Sequence, residues 1–298
     1  MAVGPEEALE HTPPRGPAPG STMAWQGVVL LGLLGLLYYR ILGRLVLDWW
    51  TDPNFSHGFF VPAFSAFVVW RDWKKLAAAR RNPSWIGLVV VACSLAVLIV
   101  GVTGAELFLS RSSLVFLLAG LIISFYGWNH FRLLLFPWLF LFLMIPIPAI
   151  LFNQVAFPLQ ILASKIASSV LSGVGVPVLR EGNVLQLPIM SLEVAQACSG
   201  IRSLVSLGTL SIIYGYVLEP KMIGRVILAL ASVPIAILAN ALRVVGTGLL
   251  VHYWDPEKAE GFFHLFEGWV IFVLSLGLLF ALHGFMRLLT SRRAGGQK

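Results

Sequence analysis

RVILALASVPIAILANALRVVGTGLLVHYW, residues Arg225 to Trp254, decides the fold class. Between Arg225 and Arg243 it carries no charge. A helix needs roughly 17–25 mainly apolar residues to cross a bilayer, and this stretch exceeds that. Its exception is internal: Asn240 and Arg243 stand one turn apart on one face of an otherwise apolar helix. With a rise of about 1.5 Å per residue, Arg243 lies roughly 10 Å inside the helix end near Leu250. Ionisable groups at such depth are costly and mark function.

The rest of the chain repeats the pattern. Of 298 residues, 58% are hydrophobic and 12% charged, against about 25% charged in soluble domains. Mean hydropathy is +0.85. A soluble enzyme, a secreted disulfide scaffold and a disordered protein are excluded. The fold class is an all-α integral membrane protein.

Further apolar blocks give candidate spans at about 24–43, 55–71, 85–103, 112–128, 132–150, 199–218, 226–250 and 264–288. About eight transmembrane helices are therefore expected. Residues 152–172 mix apolar with small polar residues, which suggests an amphipathic helix at the interface rather than a ninth span. Residues 1–23, rich in Pro, Gly and Ala, read as a disordered cytoplasmic tail. Residues 24–290 read as one transmembrane domain, and 291–298 as a basic cytoplasmic tail. No charged-then-apolar leader with a small-residue cleavage site opens the chain, so the first span is expected to be retained.

The formal charge of +7 falls in short clusters between apolar blocks. That is the signature of membrane orientation, and it argues against nucleic-acid binding. Arg71, Lys74, Lys75, Arg80 and Arg81 follow span two, Lys221 and Arg225 follow span six, and Arg292, Arg293 and Lys298 close the chain. The opposite loops carry single cations: Arg111, Arg180 and Lys258. The clusters, and both termini, are expected in the cytoplasm of a plasma (inner) membrane protein. Arg40 and Arg44 fit this less well. Residues 173–197, the start of span six, the end of span seven and the start of span eight then face outward.

In that outer stretch, Val176, Val178, Val184, Leu185 and Leu187 flank an Arg-Glu-Gly-Asn turn, which predicts a β-hairpin over the outer mouth of the bundle. Cys198 follows it, where an extended run meets the helix opening at Ser199-Gly200. A thiol at a helix N-terminus sits at the positive end of the macrodipole, so its pKa falls. Arg202 stands one turn further on. His264 opens span eight, with Glu267 one turn later. Cys198, Arg243 and His264 thus approach from three helices on one side: a nucleophile, a cation and a general acid/base.

Each has a plainer reading. A lone membrane Cys can be a small core residue, Arg243 a partner for carbonyls, His264 an interfacial residue. His57, in DPNFSHGFFVP, either lines the site or anchors the interface. Ser199-Gly200 and Ser206-Gly208 suit helix packing. Glu106 and Glu193 are outer acids that could orient an Arg or a His, while His130, His252 and His283 show no partner. Cys93 lies inside an apolar run, so a disulfide to Cys198 is not expected. No metal ligand set or cofactor motif is present.

EVAQACSGIRSL (Glu193 to Leu204), NALRVVGTG (Asn240 to Gly248) and FFHLFEGW (Phe263 to Trp269) resemble motifs of the exosortase/archaeosortase family. DPNFSHGFFVPAFSAFVVW resembles its N-terminal Ser-His-Gly region, and EGNVLQLP its hairpin before the cysteine. The likeness covers about residues 45–285 in order. It implies an eight-span membrane cysteine protease/transpeptidase that cleaves the C-terminal sorting signal of secreted proteins and passes them to an envelope or extracellular acceptor. That signal is a Pro-Glu-Pro (PEP-CTERM type) motif, a transmembrane helix and a basic tail.

Cys198, Arg243 and His264 take the family's catalytic positions, with Arg202, Asn240, Glu267 and His57 as candidate supporting residues. A histidine at the third position is the exosortase form; archaeal relatives tend to have arginine. Some members carry a further C-terminal domain linked to exopolysaccharide assembly; with the sequence closing at Lys298, no such domain is expected here. Two other classes share the composition. One is a small-molecule transporter binding an anion at Arg243, against which the missing inverted halves argue. The other is a non-catalytic polysaccharide-assembly membrane protein.

Overall fold

The computed structural model describes the backbone of residues 19–194, 200–253 and 256–295, and side chains at 25, 27–194, 202–253 and 269–289. Two compact units divide the chain, Met1–Arg44 and Leu45–Lys298. The first holds most of helix α1 (Pro19–Thr51), which begins inside the stretch expected to be a tail. Its apolar side chains are largely uncovered, with Leu36 72% exposed. Water would not tolerate that surface; lipid does.

The second unit continues from the end of α1 through a 3-10 turn (Ser56–Phe59), α2 (Phe60–Arg71) and α3 (Trp73–Ala78) to the paired α4 (Ile86–Thr103) and α5 (Leu107–Phe125). Two short helices follow, α6 (Trp128–Leu133) and α7 (Leu135–Phe140), the latter running into a 3-10 turn, Leu141–Met144. Then come α8 (Ala149–Gly173), strands β1 (Leu179–Glu181), β2 (Val184–Gln186) and β3 (Ser191–Glu193), α9 (Gly200–Leu218), α10 (Met222–Tyr253) and α11 (Pro256–Gly295). α11 thus runs into the stretch expected to be a C-terminal tail.

Among the described residues, six helical stretches are long and apolar enough to cross a membrane: Gly27–Thr51, Ile86–Thr103, Leu107–Phe125, Ala149–Gly173, Met222–Tyr253 and Trp269–Leu289. Two shorter apolar ones, Leu135–Met144 and Arg202–Leu218, join them. The chain is an all-α, multi-pass membrane protein.

Three details differ from the sequence reading. The block 132–150 is not one helix, because the backbone breaks at Leu134 and helical structure stops at Met144, ahead of Pro146 and Pro148. Residues 152–172 belong instead to a 25-residue apolar helix, about 37 Å long by its rise. Of its small polar residues, Ser164 is fully buried and its hydroxyl donates to the Gly182 carbonyl at 2.9 Å. Third, α5 starts at Leu107, five residues before the expected span, so Arg111 is not a loop cation. It is 3% exposed and paired with Asp48 at 2.5 Å. Glu106 caps that early start, accepting from the Leu109 N–H at 2.8 Å.

The three strands form an antiparallel sheet in the order β1-β2-β3. Glu181 pairs with Val184, so the turn is Gly182-Asn183, and Gly182 takes φ +65 there, a conformation that side chains with a Cβ resist. Val176, Leu185, Leu187 and Val194 bury themselves against Ala163, Ala167 and Leu171 of α8 and Ala241, Val244, Val245 and Val251 of α10. The sheet is therefore a plug seated where α8 and α10 meet. A second core, Leu207, Leu228, Ala236 and Leu279, holds α9, α10 and α11 together.

Candidate active site

Cys198 lies outside the described residues (195–199), but both flanks are described. On one side β3 ends and the Val194 N–H donates to the Asn183 carbonyl at 3.0 Å. On the other, α9 opens at Gly200, two residues beyond the cysteine.

The first turn of α9 is tied to a distant part of the chain. Arg202 Nε donates to Asn54 Oδ1 at 3.2 Å, and the Asn54 N–H donates to Asp52 Oδ1 at 2.8 Å. The DPNFSHG segment thus sits against the helix that follows Cys198. His57 does not line an open site from there. It is 8% exposed and its Nε2 donates to the Leu143 carbonyl at 3.1 Å, anchoring the segment to the 3-10 turn before α8. Gly58 is obligatory for the same packing: a Cβ there would lie 2.3 Å from the Trp49 indole nitrogen, whose N–H donates to the Met144 carbonyl at 2.9 Å.

Arg243 is half-buried on α10, in the same turn as Ala241, Val244 and Val245, which pack against α8 and the sheet. Asn240 is 4% exposed and lines a small cleft with Ala236, Ile237, Leu159 of α8 and Leu204 of α9. Three helices meet there. α9 and α10 are joined by a three-residue loop and run antiparallel, so depth along one maps onto the other. From the Leu204–Asn240 level, Gly200 is about 6 Å towards the start of α9, and Arg243 about 4.5 Å in the same direction. Arg243 stands level with the first turn of α9.

His264 and Glu267 lie on the described backbone of α11, and their side chains are outside the description. Residues 254 and 255 alone separate α10 from α11. His264 is eight residues past Pro256, about 12 Å, and Arg243 ten before Tyr253, about 15 Å. The backbone brings both to one depth, within a turn. Glu193 is an exposed member of β3. Among the described residues, no three His, Cys, Asp or Glu side chains gather as a metal site would require.

The family model for transmembrane exosortases matches residues 49–281, most of the chain, from the end of α1 into α11. The chain belongs to the transmembrane exosortase family. Exosortases are membrane proteins of the cysteine transpeptidase type that act in protein sorting. Curated proteins and solved structures give no match to this exosortase chain.

Two interactions could not be read from the sequence. Asn54, the partner of Arg202, lies 148 positions away in a segment whose visible signal was His57. His283, apparently partnerless, is 3% exposed and bridges two helices, its Nδ1 2.7 Å from the Tyr214 hydroxyl and its Nε2 3.2 Å from Glu219 Oε2. No motif pointed to either.

Proposed function

We propose that this exosortase is a cysteine protease/transpeptidase that cuts PEP-CTERM type sorting signals on the outer face of the inner membrane and hands the secreted protein to an envelope or extracellular acceptor. One observation carries the reading: the start of α9, two residues past Cys198, stands level with Arg243 on α10 and, along the α11 backbone, with His264, inside the family match. The Lys/Arg distribution puts the sheet and the start of α9 on the outer side. The cytoplasmic clusters and both termini stay opposite, as the Lys/Arg distribution requires.

In this scheme the Cys198 thiolate attacks the carbonyl carbon beside the recognition motif. Arg243 stabilises the resulting oxyanion, in surroundings whose low dielectric magnifies its charge. The C–N bond breaks, His264 protonates the departing amine, and the substrate remains as a thioester on Cys198. His264 then takes the proton of the incoming acceptor, or of water, whose attack returns the thiolate. Arg202, held by Asn54, adds positive charge one turn from the thiol. Asn240 fixes the α8–α9–α10 junction, and Glu267 lies one turn along from His264 as its candidate orienting acid. The chemistry uses neither metal nor cofactor.

An open cleft of about 670 Å³ lies at the far end of the sheet, lined by Ser172, Val176, Val178, Leu179, Gln186 and Pro188 among others. It gives an extended substrate segment room beside the plug.

The test is co-expression with a tagged secreted protein carrying a Pro-Glu-Pro signal, scored by size shift. Wild type cleaves it; Arg243→Ala slows cleavage by about 10²–10³-fold, the usual cost of removing an oxyanion partner. Undiminished cleavage by Arg243→Ala would remove Arg243 from the mechanism.

A further inference from the structure

At the end of α10 opposite Arg243, two helices bring arginines onto one aromatic ring. Tyr216, near the end of α9, has Phe136 of α7 stacked on it, centroids 4.0 Å apart and planes 2° from parallel. The guanidinium carbon of Arg71, the last residue of α2, lies 4.7 Å from the centre of the Tyr216 ring, and that of Arg225, in the first turn of α10, 4.8 Å. Two like charges share one ring, closer together than a Debye length of ~10 Å.

Arg225 Nε also donates to the Glu219 carbonyl at 2.7 Å, and Arg287 of α11 donates to the Leu218 carbonyl at 2.9 Å. The Glu219 carbonyl fixes the Arg225 guanidinium without neutralising it. The local carboxylates are few. Asp72 serves both Lys75, at 2.9 Å, and Arg71, at 3.4 Å, and the Lys75 hydrogen bond holds its carboxyl below the usual range. Glu219 is engaged by His283 at 3.2 Å. Among the described residues, four cations (Arg71, Lys75, Lys221, Arg225) thus face two carboxylates (Asp72, Glu219), an excess of two positive charges.

We propose that this cluster binds the phosphate headgroup of an anionic phospholipid. Guanidinium forks match phosphate oxygens, and a phosphate between Arg71 and Arg225 removes the repulsion the fold imposes on them. The surroundings select a lipid over a soluble anion. Immediately beside the cations the surface is apolar and open: Trp70 is 73% exposed, Met222 70% and Ile223 75%. Acyl chains have a wall to lie on, and Trp70 and Trp73 mark the headgroup level. The site is independent of the cleavage chemistry, about 27 Å from Arg243 along α10.

Native mass spectrometry of the full chain, released from nanodiscs of phosphatidylcholine with a minority of phosphatidylglycerol, reads this directly. Phosphatidylglycerol is retained over phosphatidylcholine by ~10-fold or more, and R71Q/R225Q loses that preference, as expected when phosphate forks are removed. The charge-matched R80Q/R132Q keeps it. If R71Q/R225Q does not fold, R71Q alone leaves the Arg225–Glu219 bond in place, and a drop of ~3-fold is expected for loss of one fork. Equal retention of the two lipids, or unchanged preference in these variants, would overturn the proposal. Displacement of the bound lipid by millimolar inorganic phosphate would overturn its lipid part and assign a soluble phosphate instead.

Discussion

Cys198→Ala abolishes cleavage of a PEP-CTERM substrate, with a fall of at least ~10³-fold, because no other group supplies the electron pair that forms the acyl-enzyme. Cys198→Ser is almost as inactive. A serine hydroxyl loses its proton far less readily than a thiol. Both variants are expected to keep the fold, because Cys, Ala and Ser differ by one small group on the same Cβ. A transporter that used Arg243 to hold an anion would tolerate Cys198→Ser, and an assembly protein would tolerate both. Co-expression with tagged substrate, alongside a melting curve for each variant, separates these readings. Cleavage by the alanine variant would end the peptidase account.

The largest effect on stability is expected at Asp48. Its partner Arg111 has only 2% of its side chain exposed, and Arg111 Nε has no hydrogen-bond partner among the described residues. Asp48 supplies the negative charge that makes this burial tolerable. Asp48→Ala strands the guanidinium and costs about 3 kcal/mol or more, the range for breaking a buried pair from one side. Arg111→Met alone costs less, because Asp48 keeps access to water, with 37% of its side chain exposed. The double variant recovers most of the loss for the same reason. Unfolding in mixed micelles gives the cycle. A coupling energy below about 0.5 kcal/mol would show the pair to be incidental.

The parts of this fold legible in the sequence are those written in local patterns. The apolar run around Arg243 marks a crossing helix wherever it packs, and Gly182-Asn183 between β-branched and aliphatic residues marks a turn. Both follow from neighbours within a few positions. The misread parts depend on contacts. Nothing in the sequence says that the Ser164 hydroxyl of α8 meets the Gly182 carbonyl. Arg111 looked like a loop cation because its partner Asp48 is 63 residues away. The block 132–150 has the hydropathy of a span, but its backbone breaks at Leu134 and loses helical structure before Pro146.

For the site, residue types and order were visible while depth was not. Arg243 and His264 lie 21 positions apart, and only the tight α10–α11 connection brings their backbones level. Asn54 carried no signal of its own. Its role follows from where α9 meets the DPNFSHG segment.

The central claim is that Cys198 carries the substrate covalently. Intact-mass analysis of the purified protein, acid-quenched during turnover with a PEP-CTERM substrate, tests it. The account predicts an adduct with the mass of the substrate's N-terminal product, mapped to Cys198, released by hydroxylamine and missing from Cys198→Ala. Continued cleavage with no adduct on Cys198, or with the adduct on another residue, would contradict it.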